Sequence, residues 1–333
     1  MLSYIQMFTK NQNETFVKRE KRKNMNKQEQ DILIALNKGI GTNQRVLSEK
    51  TGYSLGTINK SIKGLFEEGY IDKDSNITNK AKKEFKNKSP KNAIILAAGF
   101  GMRMVPINTQ VPKALIEVDG EPLIERIIKQ LHEVNVKSIY VVVGFMKEQF
   151  EYLIDDYGVE LIVNEEYASR NNLHSLCLAS NYIGNSYVVP CDIWSDKNPF
   201  SENELYSWYM VTDLVDDDSD VRVNRKMELV SVLEGQGGNS MIGISYLTAN
   251  EAEMVKEKLL KFDSIKRFEN AFWEETLYDG DRMILPARVV HATDYVEINT
   301  YEQLRELDEN SDQLKSDAIS IIAKALNVNL IFN

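Results

Sequence analysis

Cysteine is nearly absent from this 333-residue chain, and the two that occur, Cys177 and Cys191, are too few for a disulfide framework. They also lack metal-ligand spacing, so a reducing, cytoplasmic setting is expected. No apolar run approaches the roughly 18–20 residues that span a bilayer, and no membrane insertion is expected. A secretory leader is not expected either. The first residues place a few apolar side chains before a basic cluster, the reverse of the order such a signal needs, and residues 1–25 read as a flexible extension.

Charge is abundant but unevenly spread. Residues 1–91 carry 19 Lys/Arg against 10 Asp/Glu, a net of +9, whereas the remainder carries 21 against 40, a net of −19. Such a split argues for two domains with different partners. The basic piece can face nucleic acid or the acidic domain, and the charge count leaves both open.

The pattern along the chain supports the division. Residues 28–36 place Ile32, Leu33 and Leu36 on one helical stripe. Thr42 and Asn43 are candidate caps for a helix at 44–51, Gly52-Tyr53 makes a turn, and Ser54 caps a third helix running to Phe66. A short hairpin is expected over 69–78, then a basic stretch at 79–88. Helix, helix, tight turn, helix, hairpin resembles a winged helix-turn-helix domain, assigned to 26–88. If it reads DNA, residues 54–66 would present Thr57, Asn59, Lys60 and Lys63 to a groove, although no Arg lies on that helix. The alternative is a docking or dimerising module, with a homodimer as its consequence.

After a linker at 88–91 the period changes. Residues 93–98 form a continuous apolar run, short enough for a buried parallel strand. Helices are expected at 122–134, 147–155 and 173–180, alternating with strands at 138–143, 160–163 and 186–189. This is the βαβ pattern of an α/β, Rossmann-like, doubly wound and mostly parallel sheet, assigned to 89–310. Antiparallel hairpins are expected over 200–246, helices at 249–261 and 300–308, and a helical tail at 311–333. The run Asp216-Asp217-Asp218-Ser219-Asp220 lacks the glycine and distal glutamate of a calcium loop and reads as a solvated turn.

The strongest chemical signal follows the first strand: Leu96-Ala97-Ala98-Gly99-Phe100-Gly101-Met102-Arg103-Met104. Small residues and glycines let backbone N–H groups approach and cradle a triphosphate. The loop is not a Walker motif, because no Gly-Lys-Ser/Thr follows. It is not a dinucleotide fingerprint either, because Met104 stands where the third glycine belongs. Arg103 can fork onto phosphate, and Val111-Pro112-Lys113-Ala114-Leu115 adds a second cation.

Ala-Ala-Gly-x-Gly-x-Arg followed by Pro-Lys-Ala-Leu resembles the signature of the nucleotidyltransferases that make nucleotide sugars and CDP-alcohols. The resemblance implies displacement at an α-phosphorus with pyrophosphate leaving, assisted by Arg103, Lys113 and Mg²⁺. The acceptor phosphate, with a second pKa of about 6, needs no general base. The sequence offers no obvious one among His132, His174 and His291. Asp192, closing the strand Ser186-Tyr187-Val188-Val189-Pro190-Cys191, matches the family's metal-binding aspartate. The second ligand falls in Tyr295-Val296-Glu297-Ile298-Asn299, where the choline branch has Asp and this chain has Asn299. Glu297 is the fallback ligand.

Further segments, Gly144-Phe145-Met146-Lys147-Glu148-Gln149-Phe150, Asn164-Glu165-Glu166-Tyr167-Ala168 and Asn171-Asn172-Leu173-His174-Ser175-Leu176, resemble the bacterial choline-phosphate cytidylyltransferases. That implies CTP as donor and phosphocholine as acceptor. It also implies nucleotide contacts from the loop (Leu96, Ala97, Ala98, Gly99, Gly101, Met102, Arg103), Lys113, Asn172 and Ser175. A quaternary ammonium needs aromatic faces and negative charge, for which Phe272, Trp273, Glu274, Trp194 and Tyr246 are the candidates. Phosphoethanolamine, 2-aminoethylphosphonate and sugar-1-phosphates are alternative acceptors. A DNA-binding regulator that only senses CTP or the acceptor is the non-enzymatic alternative.

Overall fold

The computed structural model describes residues 25–41, 43–104, 111–217, 219–233 and 235–309. Of the expected features, the extension before Met25, the tail at 311–333, the cap Thr42 and Asp218 lie outside the described residues. The chain divides into two compact units, 1–84 and 85–333.

In the first unit, helix α1 (Lys27–Asn37) starts at a capping box: Asn26 Oδ1 accepts from Glu29 N at 2.9 Å and Glu29 Oε2 accepts from Asn26 N at 2.9 Å. Helix α2 (Gln44–Thr51) ends on Gly52, whose φ of +73° is the left-handed cap that glycine adopts without strain. Helix α3 (Leu55–Glu67) is capped by Ser54. It comes so close to α1 that a Cβ on Gly64 would lie 2.6 Å from Glu29 Oε1. Ile32, Leu33, Leu47, Ile58 and Leu65 form the buried centre. The expected hairpin is reduced to one bridge, Ile71 to Ile77, because Asp72 turns its carboxylate onto the amides of Asp74 and Asn76 and closes the chain early. The basic stretch is helix α4 (Asn79–Lys88).

The second unit is built on a sheet of β1 (Asn92–Ala97), β4 (Ser138–Val143), β5 (Glu160–Val163), β6 (Ser186–Pro190), β8 (Trp208–Asp216), β9 (Val221–Val223), β10 (Glu228–Ser231), β11 (Gly238–Leu247) and β13 (Arg282–Val290), in spatial order β5-β4-β1-β6-β11-β8-β13-β10-β9. Small ribbons add β2 (Glu117–Val118) with β3 (Glu121–Pro122), β7 (Ile193–Ser195) with β14 (Tyr295–Glu297), and β12 (Tyr278–Asp279) on β13. Strands β5, β4, β1 and β6 run parallel, β11 runs against both β6 and β8, and β13 lies parallel to β8.

The apolar run of β1 explains its central place. Ala93, Ile95 and Ala97 enter one core with Ile124, Ile127, Ile128 and Leu131 of α5 (Leu123–Glu133). Ile94 and Ala98 enter the other with Leu173 and Leu176 of α7 (Asn172–Leu178) and Val255 and Leu259 of α8 (Ala249–Asp263). A strand buried on both faces reads as continuous hydrophobicity, each such side chain contributing about 1.5–3 kcal/mol.

The helix expected at 147–155 is interrupted. Met146 takes φ +50°, a 3₁₀ turn covers Lys147–Phe150, and α6 (Tyr152–Tyr157) follows. The last described helix, α9 (Tyr301–Leu307), is capped by Thr300. Among the described residues no helix is long and apolar enough to cross a membrane.

Candidate active site

The carboxyl ends of β1 and β6 open into a cleft of about 720 Å³, the place where open α/β sheets bind ligands. Ala98, Gly99, Phe100 and Gly101 form one wall as the chain leaves β1. Gly101, at φ +70°, turns it into the short 3₁₀ segment Met102–Met104.

Three chain segments meet at one end. Lys113, buried at the start of a 3₁₀ turn behind Pro112, donates from Nζ to Asp192 Oδ2 at 2.5 Å and to Asn299 Oδ1 at 2.6 Å. Asp192 follows β6, and Asn299 follows β14. The β7–β14 ribbon pairs Ile193 with Glu297, and Ile298 N donates to Asp192 O at 2.9 Å, so the two oxygens are brought together by backbone pairing. Gln303 Oε1 accepts from Asn299 N at 2.7 Å and fixes the turn from α9.

Glu297 belongs to the same cluster. Loss of solvent around its carboxyl, and then the charge of Asp192, push its pKa up, while Asn299, Lys113 and Arg103 pull it down. Arg103 itself is exposed and does not line the cleft, but its charge reaches Glu297. Cys191 lines the cleft beside Asp192. Burial and that neighbouring charge push its thiol up to about 12, so it stays protonated and is a poor nucleophile.

Two oxygens that share one ammonium already define a cation position. A carboxylate and an amide oxygen, with phosphates and water completing the shell, suit a hard divalent ion such as Mg²⁺. Among the described residues no group of three or more His, Cys, Asp or Glu converges on a metal position. A metal held here would therefore depend on its substrates for further ligands.

The structure brings most of the expected nucleotide residues to this cleft: Leu96, Ala98, Gly99, Gly101, Lys113, Asn172, Ser175 and Asp192 all line it. Ala97 is corrected. Alternation along β1 turns it into the opposite core, 2% exposed, while Leu96 and Ala98 face the cleft. The backbone of Met102 opens the 3₁₀ turn. Asn172 Oδ1 accepts from Trp273 N at 2.8 Å, and Ser175 Oγ accepts from Asn164 Nδ2 at 3.0 Å, so both polar groups already have partners.

The expected acceptor residues are placed differently, and none of the five lines the cleft. Trp273 is 1% exposed and packs in the core with its ring 6.2 Å from that of Tyr209. Tyr246 is fully buried, its hydroxyl donating to Lys88 O. Both are the bulky apolar bodies that fill this sheet, which is why aromatic content alone misled. Phe272 is 60% exposed. Trp194 packs beside Ile298 and Leu304, with the Arg126 guanidinium 5.3 Å from its ring. Glu274 Oε1 accepts from Tyr209 at 2.9 Å, while Oε2 is sealed from solvent with no partner. Burial pushes the Glu274 carboxyl up to about 7.

Sequence reading missed Phe100, Phe145, Tyr167 and Arg170 as lining residues. The usable signal was Gly144, where a Cβ would stand 2.7 Å from Tyr167 Cβ; only glycine lets that ring settle against the strand end.

Comparison with known proteins is consistent with this geometry. The family described as MobA-like NTP transferase domain matches residues 93–197, and the one described as winged helix-turn-helix DNA-binding matches 25–72. The choline-phosphate cytidylyltransferase of Streptococcus pneumoniae is 32% identical over 222 residues, covering 65% of this chain and 96% of that relative. The 2-aminoethylphosphonate cytidylyltransferase of Lancefieldella rimae is 33% identical over 245 residues, covering 67% and 94%. Among solved structures, a CTP:phosphocholine cytidylyltransferase from Streptococcus pneumoniae superimposes with a TM-score of 0.60 at 31% identity, covering 66% of this chain and 97% of that one.

Proposed function

The chain belongs to the nucleotidyltransferases of the choline-phosphate cytidylyltransferase type, and from that premise we propose that it transfers CMP from CTP to phosphocholine. An acceptor phosphate oxygen forms the new bond to the α-phosphorus, the bond from that phosphorus to the β-phosphate bridge breaks, and pyrophosphate leaves. The reading rests on one observation: Lys113 Nζ, Asp192 Oδ2 and Asn299 Oδ1 converge at the end of a cleft walled by the glycine loop.

Backbone N–H groups of residues 99–101 would take the phosphate oxygens, and Arg103 and Lys113 would neutralise the charge that moves onto the leaving group. Asp192 and Asn299 would hold Mg²⁺, which supplies further charge neutralisation when bound. The acceptor arrives already ionised, so the protein's work is orientation and electrostatics. CTP as donor makes the cytoplasm the setting.

A second acceptor reading is 2-aminoethylphosphonate or phosphoethanolamine, supported by the 33% identity to a 2-aminoethylphosphonate cytidylyltransferase. Pyrophosphate release, measured for four NTPs against phosphocholine, phosphoethanolamine, 2-aminoethylphosphonate and glucose-1-phosphate, separates the readings. The highest kcat/KM for CTP with phosphocholine supports the first. Turnover confined to a primary amine transfers the assignment to the second. No release with any pair leaves the sensor reading. For the amino-terminal unit we propose duplex DNA as partner, with the exposed Asn59, Lys60 and Lys63 of α3 on its contact face.

A further inference from the structure

Resting on the reading of this cleft as a nucleotide site, one question is what chooses the base. The glycine loop, Lys113 and Asp192 take the triphosphate, which leaves the base to the rest of the lining. There Phe100 and Phe145 meet edge to face at 4.5 Å, with Tyr167 a further 6.3 Å from Phe145. Aromatic faces stack on any base and do not select one. Arg170, in the turn that follows Tyr167, lines the same cleft and brings several donors beside that wall.

The guanidinium is held from behind. Its Nη2 donates to Asp263 O at 2.5 Å and to Asp263 Oδ1 at 2.7 Å, and His174 Nδ1 shares that oxygen at 2.9 Å. The side chains of Arg170, His174 and Asp263 are 14%, 10% and 20% exposed, so the plane is fixed in a largely dry setting. Nη1 keeps only a long 3.7 Å approach to Glu166 Oε2. Nε is sealed with no partner, an unfavourable state that a simple surface ion pair would not require.

We infer that Arg170 selects cytosine, donating from Nη1 to N3 of the base, with Asp263 and His174 as positioning residues. Cytosine offers an acceptor at N3 to such a donor. Uracil presents an N3–H there, donor against donor, and is rejected.

The test is calorimetric binding of CTP and of UTP, with Mg²⁺, to the whole chain and to Arg170→Met. CTP affinity is expected to fall about 10–100-fold, the value of losing one hydrogen bond from a charged donor, with UTP affinity unchanged. Equal losses for both nucleotides, or a CTP preference that survives, overturn the inference. Should Met at this position prevent folding, Arg170→Lys keeps the charge without the planar guanidinium that Asp263 orients. It is expected to lose the preference too, and retained preference again overturns it. Binding is read without acceptor, so a different acceptor leaves the result standing. A wild-type chain that binds CTP and UTP equally removes the inference alone, and one that binds neither removes the nucleotide site with it.

Discussion

Lys113 and Asp192, 79 residues apart in sequence, are joined by a 2.5 Å hydrogen bond at the mouth of a glycine-lined cleft. The same ammonium also reaches Asn299, 186 residues further along than Lys113. An ammonium in that position satisfies two part-buried oxygens and keeps a cation at the point where phosphate charge must be met.

Removing either partner therefore strikes the reaction rather than the fold. Asp192→Ala and Lys113→Ala are each expected to lower kcat by about 10²–10³-fold or more, the scale of losing one preorganised electrostatic contact. Circular dichroism and melting should stay close to wild type. Turnover retained by Asp192→Ala would remove that residue from the metal site.

Asn299 supplies an oxygen without a charge. Asn299→Asp adds a carboxylate beside Asp192, and the Mg²⁺ concentration for half-maximal rate is expected to fall several-fold. A rise, or no change, would mean that residue 299 serves Lys113 and not the metal.

Trp273 is a core residue, and its loss should show first in stability. Trp273→Ala is expected to cost about 3–5 kcal/mol in urea unfolding, whereas Phe272→Ala, at an exposed position, should stay within about 0.5 kcal/mol. Equal stability of the two variants would return Trp273 to the surface of a binding site.

Glu274 should impose a pH dependence. Its folded pKa is raised to about 7 by burial, above the unfolded value of about 4.3, so the native state binds the proton more tightly. Its stabilising contribution is full below the unfolded pKa and is lost as pH rises through about 7. Glu274→Gln is expected to flatten that profile in urea unfolding followed across pH, and an unchanged profile would assign the dependence to another group.

The amino-terminal unit yields a separate test. Lys60→Ala with Lys63→Ala should weaken duplex binding and flatten its dependence on salt, since each phosphate contact releases counterions. Unchanged binding would move the contact off α3.

The period of the hydrophobic pattern settled the two-part organisation, the central strands and the loop after β1, because burial on both sheet faces and close backbone approach are demands on consecutive residues. Alternation also explains one misplaced loop residue: Ala97 reads like its neighbours but points to the other core, whereas Arg103 is exposed and outside the lining. What remained hidden depends on distance in sequence. The meeting of Lys113, Asp192 and Asn299 is implied only by the family resemblance; it is made by the β7–β14 ribbon, and no local pattern announces a pairing between segments so far apart. Aromatic residues were the least legible. Trp273 and Phe145 carry the same local signal of bulk and apolarity, and only the packing of helices and strands decided that the first is sealed under the sheet and the second lines the cleft.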